Sequence, residues 1–267
     1  MKNKGHFLSV IIPIYKQDKT IKQDIINIAN TLKQIRYDYE IIAVVDGIST
    51  DKSYDIIKKC KLSKVKVFSY KYNHGKGYAV RYGMTKTKGD YVAFIDAGME
   101  IDPNGISMVL EHMEWYGADI IVASKRHPAS KVIYPLDRVI ISFIAQIIIQ
   151  VLLGLNIKDT QAGLKIFKRE VLLKVLPRLL VKSYAFDIEI LSVANRLGFN
   201  KIYEAPIKLK YGFDSITHAT GFKTIYNCLI DTLAIFYRLK IHHFYDDKNK
   251  RKWTYDPDLE MRINTGQ

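Results

Sequence analysis

Gly89-Asp90-Tyr91-Val92-Ala93-Phe94-Ile95-Asp96-Ala97-Gly98-Met99-Glu100 decides how this chain is read. A turn feeds a short apolar run, and the run ends abruptly in carboxylates. Buried strands of parallel sheets have this uninterrupted apolar character, and open α/β sheets take ligands beyond the carboxyl ends of their strands. An acid at that point is costly unless it meets a cation or a hydrogen-bond partner. Asp96 and Glu100 therefore stand as candidate ligands for Mg²⁺ or Mn²⁺ held against a diphosphate, because hard cations take carboxylate and phosphate oxygens together. Taken alone, the segment fits a strand followed by an acidic, helix-capping loop equally well.

The flanking sequence repeats the same grammar. Phe7 to Tyr15 is a continuous apolar run and predicts a buried strand. Ile21, Ile25, Ile28, Leu32 and Ile35 then recur at three- and four-residue steps, which predicts an amphipathic helix. Strands are expected at Glu40 to Val45, Val65 to Tyr70 and Asp119 to Ala123, with helices at Ser53 to Lys59, Tyr78 to Thr87 and Pro103 to Tyr116. Such alternation implies an α/β fold with a mostly parallel sheet flanked by helices. The chain shows no internal repeat and no low-complexity linker.

Composition narrows the partners. The 267 residues are 48% hydrophobic, enough for one large domain or a domain with an appendage, and the formal charge of +14 calls for an anionic partner. Cys60 and Cys228 match no metal-ligand spacing and offer no disulfide framework. The basic start, Met1 to Tyr15, has a short apolar run interrupted by Pro13, unlike a signal peptide. No stretch reaches the roughly 20 apolar residues of a spanning helix. No RNA- or DNA-binding signature accompanies the basic residues, so no nucleic acid is expected. A reduced, cytoplasmic protein follows, peripheral on the cytoplasmic face of a membrane.

Three loops after successive strands carry further candidates. They are Pro13-Ile14-Tyr15-Lys16-Gln17, Asp46-Gly47-Ile48-Ser49-Thr50-Asp51 and Asn73-His74-Gly75-Lys76-Gly77. Glycines admit close approach of backbone to a phosphate, and a lysine supplies a point charge. Each loop alone also reads as an ordinary turn. Their order, with Val10-Ile11-Ile12-Pro13-Ile14-Tyr15 before them and Gly89 to Asp96 after, resembles the family-2 glycosyltransferases of the nucleotide-sugar-binding GT-A fold, over residues 8 to 210. That resemblance implies a nucleotide pocket lined by Pro13, Tyr15, Asp46 and Lys76, with Asp96 opening the metal-binding motif. Two departures stand out. Gly47 follows Asp46 where the family often has a second acid, and Gly98 replaces a usual aspartate, which leaves Glu100 as the additional ligand.

Downstream, Ser124-Lys125-Arg126-His127-Pro128 and Tyr134-Pro135-Leu136-Asp137-Arg138 precede an apolar helix, Val139 to Leu153. Its polar residues, Ser142, Gln146 and Gln150, fall on one stripe with Arg138. The helix is too short to span a bilayer; it fits either a membrane surface or the protein core. With Asp159-Thr160-Gln161-Ala162-Gly163-Leu164-Lys165, Ala185-Phe186-Asp187-Ile188-Glu189 and Glu204-Ala205-Pro206, the pattern resembles the polyprenyl-phosphate glycosyltransferases, the dolichyl-phosphate glucose and mannose synthase group. The resemblance implies that Arg126 and Arg138 contact phosphates of donor and acceptor, and that Asp159 and Gln161 border the sugar. The run at Asp159 is closer to the glucosyl branch, so UDP-glucose is favoured over GDP-mannose as donor, with polyprenyl phosphate as acceptor.

Phe222, Ile225, Tyr226, Leu229, Ile230, Leu233, Phe236 and Tyr237 form another apolar face at helical spacing, followed by a basic stretch. It reads as a peripheral membrane anchor or as a helix docked on the domain. The expected organisation is a transferase domain over residues 1–215, including an acceptor segment at 125–157, and an amphipathic helix with a basic tail over 216–267. Tyr255 to Gln267 carries no readable signal and is expected to be mobile. The implied reaction is inverting hexose transfer to a lipid phosphate, metal-dependent and without a base. A sugar-hydroxyl acceptor, with Asp159 or Asp187 as base, is the alternative, and a non-enzymatic basic binder is a further one.

Overall fold

Runs rich in isoleucine and valine make the strands, and their side chains alternate between the two faces of one sheet. In this computed structural model, which describes residues 6–132, 136–209, 222–247 and 252–264, the first half reads β1 (Phe7–Ile14), α1 (Ile21–Leu32), β2 (Asp38–Val45), α2 (Ser53–Lys59) and β3 (Val65–Ser69). It continues with α3 (Lys76–Thr85), β4 (Tyr91–Ile95), α4 (Gly105–Trp115) and β5 (Ile120–Ser124). Then come α5 (Leu136–Leu153), β6 (Leu164–Lys168), α6 (Arg169–Val175), α7 (Phe186–Arg196) and β7 (Ile202–Pro206). The C-terminal part is α8 (Phe222–Phe236), a π-helical turn at Tyr237–Ile241, and strands β8 (Trp253–Asp256) and β9 (Met261–Asn264).

The main sheet has seven strands in the order β3-β2-β1-β4-β6-β5-β7. Only β6 runs against the rest, pairing antiparallel with both β4 and β5. The period-two alternation sends Ile11, Ile42, Val44, Val92 and Phe94 to one face, under α3 and α7. Val10, Ile12, Ile41, Ala43 and Ala93 go to the other, under α1 and α4. Gly83 lets α3 lie directly on β1, because a Cβ there would stand 2.6 Å from the Ile11 side chain.

Two expectations need correction. No strand was expected at β6; the antiparallel strand places Lys165 opposite Phe94 and its preceding loop at the carboxyl end of the sheet. The segment from Tyr255, expected to be mobile, forms the β8–β9 hairpin. Asp256 Oδ1 accepts the N–H groups of Asp258 and Leu259 in its turn, and Leu259 is buried. Arg178 pairs with Asp247 and lies over the Trp253 ring, and Lys86 pairs with Glu260. These contacts join the hairpin to the main domain. Ile235, Leu239, Phe244 and Tyr245 belong to the same core as α3 and α7.

Candidate active site

The loops that follow β1, β2 and β4, together with the start of α3, meet at the carboxyl edge of the sheet. Pro13 is the penultimate residue of β1, and Tyr15 just beyond the strand is 40% exposed. Asp51 fastens this loop to the next: it accepts the N–H groups of Asp18 and Ser53, and Ser53 Oγ accepts from Gln17 N–H. Asp46, expected to line the pocket, is only 2% exposed. Its carboxylate accepts His74 N–H at 2.7 Å, Gly75 N–H at 2.9 Å and Asn73 Nδ2 at 2.8 Å. Asp46 therefore shapes the glycine-lysine loop. Gly75, at φ 100°, packs so closely on the 182–183 backbone that a Cβ would meet the Lys182 carbonyl at 2.6 Å.

That loop delivers Lys76 to the centre of a charged chain. Lys76 Nζ lies 2.9 Å from Asp96 Oδ2 and 3.5 Å from Asp187 Oδ2. The other oxygen of Asp187 holds Lys165 Nζ at 2.6 Å, and the same ammonium donates to the Ala162 carbonyl at 2.7 Å. Lysine and aspartate thus alternate, Lys165–Asp187–Lys76–Asp96, from a fully buried end to one that is partly open. Both ammonium groups also lie over the Phe94 ring, at 5.2 and 5.6 Å. Burial opposes the charge on Lys76, but Asp187 and Asp96 outweigh it and raise its pKa. For Lys165 burial prevails over Asp187, and its pKa is lowered.

Asp96 has a second, different oxygen. Its Oδ1 is buried and has no hydrogen-bond partner. A buried carboxylate oxygen left in that state is expensive. An unpaired carboxylate oxygen at a strand end suits a hard cation. Glu100 lies just beyond, after the turn formed by Gly98 (φ 96°) and Met99 (φ 57°), whose Gly98 N–H donates to Asp24. Among the described residues no three His, Cys, Asp or Glu side chains gather as a metal-binding group. Tyr184, absent from the sequence reading, interacts electrostatically with Lys76 and Asp96; burial raises its pKa. Its only sequence signal is the step from Leu179-Leu180-Val181 into Ser183-Tyr184 ahead of α7.

The second half of the site is built on α5 and α8. Asp159 is buried, and its Oδ2 accepts Lys125 N–H at 2.9 Å, which ties the basic loop after β5 to the loop before β6. Gln161 is exposed and donates to Cys228 Sγ of α8. The Arg126 guanidinium lies 5.6 Å over the Phe143 ring of α5. Arg138 falls in α5, but its side chain is outside the described residues, as are Tyr134 and Pro135. Two residues of the polar stripe of α5 are fixed by the loop before β6: Gln146 and Gln150 donate to the Ile157 carbonyl, while Gln146 Oε1 accepts from Thr160 N–H and Oγ1.

Ile149 and Leu153 of α5 pack in the core, while other apolar side chains face out. Phe143, Ile147, Ile148 and Val151 of α5 are exposed, Val151 at 78%. On α8 the same is true of Ile225, Tyr226, Leu229, Ile230 and Leu233. The two helices touch, so the exposed side chains belong to adjoining elements beside Arg126. No helix among the described residues is long and apolar enough to cross a membrane.

A parallel sheet with strand-end acids, a glycine-lysine loop and one reversed strand defines a nucleotide-sugar transferase fold, and the comparisons agree. The chain belongs to glycosyl transferase family 2, whose family model matches residues 9–176. It is 31% identical over 207 residues to a dolichyl-phosphate beta-glucosyltransferase of Dictyostelium discoideum, covering 72% of this chain and 63% of that protein. It is 28% identical over 243 residues to a UDP-N-acetylglucosamine–dolichyl-phosphate N-acetylglucosaminyltransferase of Methanococcus voltae, covering 83% and 94%. The chain thus spans just under two thirds of the length of the glucosyltransferase relative. Among solved structures, mannosyl-3-phosphoglycerate synthase from Rubrobacter xylanophilus matches with a TM-score of 0.68 at 16% identity, over 97% of this chain and 86% of that one. Glucosyl-3-phosphoglycerate synthase from Mycobacterium tuberculosis, in complex with Mn²⁺, UDP and phosphoglyceric acid, matches with a TM-score of 0.66 at 19% identity, over 98% and 87%. These structures share the fold.

Proposed function

We propose that this chain moves a hexose from a nucleoside diphosphate sugar to a polyprenyl phosphate, with inversion, at the cytoplasmic face of a membrane. The observation that carries the reading is the buried, unpartnered Oδ1 of Asp96 at the end of a central strand beside Lys76. Asp96, with Glu100 as a further ligand, suits Mg²⁺ or Mn²⁺. When bound, such a cation supplies charge to the departing diphosphate. Lys76 adds its ammonium on the same side, and Pro13 and Tyr15 wall the nucleotide pocket whose floor Asp46 organises. The glucosyltransferase relatives support UDP-glucose as donor over GDP-mannose. The Mycobacterium tuberculosis structure with Mn²⁺ and UDP supports the metal class.

The acceptor side is supplied by arginine beside a greasy surface. Arg126 and Arg138 hold the lipid phosphate in line behind the anomeric carbon, because arginine forks suit phosphate oxygens. The exposed faces of α5 and α8 insert into the bilayer surface, which presents the lipid phosphate at the arginines. An anionic phosphate needs no base, and this matches the two candidate bases. Asp187 is committed to two lysines, and Asp159 is buried against Lys125 N–H. Asp159 and Gln161 border the sugar from the loop before β6. The transferase unit takes in Ile235, Leu239, Phe244 and Tyr245 from the C-terminal segment, and the exposed face of α8 adds its membrane-facing part.

The test supplies radiolabelled UDP-glucose or GDP-mannose with a short polyprenyl phosphate, with Mg²⁺ or Mn²⁺ and with chelator. Label is expected in an acid-labile lipid fraction from UDP-glucose, and chelation should abolish it. Asp96→Asn should lower transfer by about 100-fold or more while leaving the circular dichroism spectrum unchanged. Near-normal turnover of that variant removes the metal role, and label appearing only in hydroxyl acceptors removes the lipid-phosphate acceptor.

A further inference from the structure

Resting on that metal-dependent reading, we infer that Lys76 stands in for the divalent cation at Asp96, so that metal and diphosphate bind as a coupled pair. The two oxygens of Asp96 differ: Oδ2 holds the Lys76 ammonium at 2.9 Å, while Oδ1 is buried without a partner. The carboxylate charge is already met by an internal cation, and a divalent ion arriving at Oδ1 is placed next to that ammonium. Two cations this close repel in a partly buried site. A metal ion arriving alone therefore gains little.

The diphosphate changes the balance. It brings several negative charges and gives Lys76 a new anionic partner, so the metal takes over Asp96 as the ammonium turns to phosphate. A lysine can make this move because its charge rides on a flexible four-carbon stem. Its other partner cannot follow it. Asp187 is fixed at its second oxygen by Lys165, which is fully buried and tied to the Ala162 carbonyl. Lys165 and Asp187 thus form a rigid seat, 3.5 Å from Lys76, that keeps the ammonium within reach of Asp96 when nucleotide leaves. Asp187 and Lys165 are positioning residues in this arrangement, and Lys76 is the moving charge.

Mn²⁺ titration of the full chain, followed by the electron paramagnetic resonance signal of the free ion, tests this without any turnover. In the wild-type protein, UDP should tighten Mn²⁺ binding by at least about fivefold, the lower end of ordinary site-to-site coupling. Lys76→Met should bind Mn²⁺ alone at least about fivefold more tightly than wild type, and UDP should then add little. Lys76→Arg, which keeps the charge, should retain weak metal binding in the absence of UDP. Lys76→Gln replaces Lys76→Met if the latter fails to show a native melting transition. Mn²⁺ affinity in the neutral variant equal to or below wild type, without nucleotide, overturns the inference and leaves the transferase reading standing. Mn²⁺ that stays free in every variant, with UDP and GDP alike, overturns both.

Discussion

Helices α1 and α8 have similar apolar spacing and opposite surroundings. In α1 the spacing buries Ile21, Ile25, Ile28 and Leu32 against the sheet and turns lysine and glutamine to solvent. In α8 the comparable side chains, Ile225, Leu229, Ile230 and Leu233, face outward, while Thr232 is buried. Helix α5 repeats the inversion, with Gln146 buried and Val151 exposed. Hydrophobic periodicity identifies a face; it does not say what covers it. For α1 the cover is the protein's own sheet, while the exposed side chains of α5 and α8 are covered by no part of the described residues.

That contrast is open to direct attack, and the largest effect belongs to α1. Ile25→Ala should cost about 2–5 kcal/mol in urea unfolding, because it opens a cavity in a packed layer. A matching loss from Ile230→Ala would show that α8 is covered by the chain itself. Gln146→Leu comes next, at about 1–3 kcal/mol, since Thr160 N–H and Oγ1 lose their acceptor in a buried place. Full stability in that variant would mean the polar stripe of α5 does not anchor the loop before β6.

A change of slope follows. Glu40 is held below its usual pKa: burial opposes its charge, but Lys66, Ser9 and Lys88 N–H outweigh burial. Its contribution to stability is present above pH 4.5 and is lost as pH falls through the lowered folded value. Glu189 is the opposite case. Burial raises its pKa despite hydrogen bonds from Tyr245 and Val181, so its contribution is present below pH 4.5 and is lost as pH rises through the raised value. Glu40→Gln should therefore flatten the acid limb of a stability profile, and Glu189→Gln the limb above pH 4.5; the reverse assignment would contradict the packing described. The smallest effect on stability is expected from Ile230→Ser with Leu233→Ser, within about 0.5 kcal/mol for each site. Sedimentation with anionic lipid vesicles should nonetheless fall about tenfold, given roughly 1.5 kcal/mol in all for two side chains that are only half exposed before binding. Unchanged vesicle binding would move the membrane contact elsewhere.

Much of the site was legible because its parts are local. A strand ending in Asp96 and a loop carrying Gly75-Lys76-Gly77 announce themselves in a few residues each. Asp187 was legible only as an acid in the Ala185-Phe186-Asp187-Ile188-Glu189 run and as a candidate base for a hydroxyl acceptor. Its two lysines come from residues far away in the chain, and the reversed strand β6 is what brings Lys165 beside Phe94. Asp46 was legible as important but not in its role. Its partners, residues 73–75, arrive through a crossover that no local pattern encodes.

The sequence by itself determined the α/β alternation, the family, the strand-end acid and the existence of two greasy helical faces, since each depends on residues close together in the chain. The tertiary structure alone decided the reversal of β6, the Lys165–Asp187–Lys76–Asp96 chain, the hairpin after residue 252 and the outward turn of α5 and α8. Each of these depends on which distant groups share a buried volume. There, the cost of leaving a charge or hydrogen-bond donor unpaired selects one arrangement among many that local sequence permits.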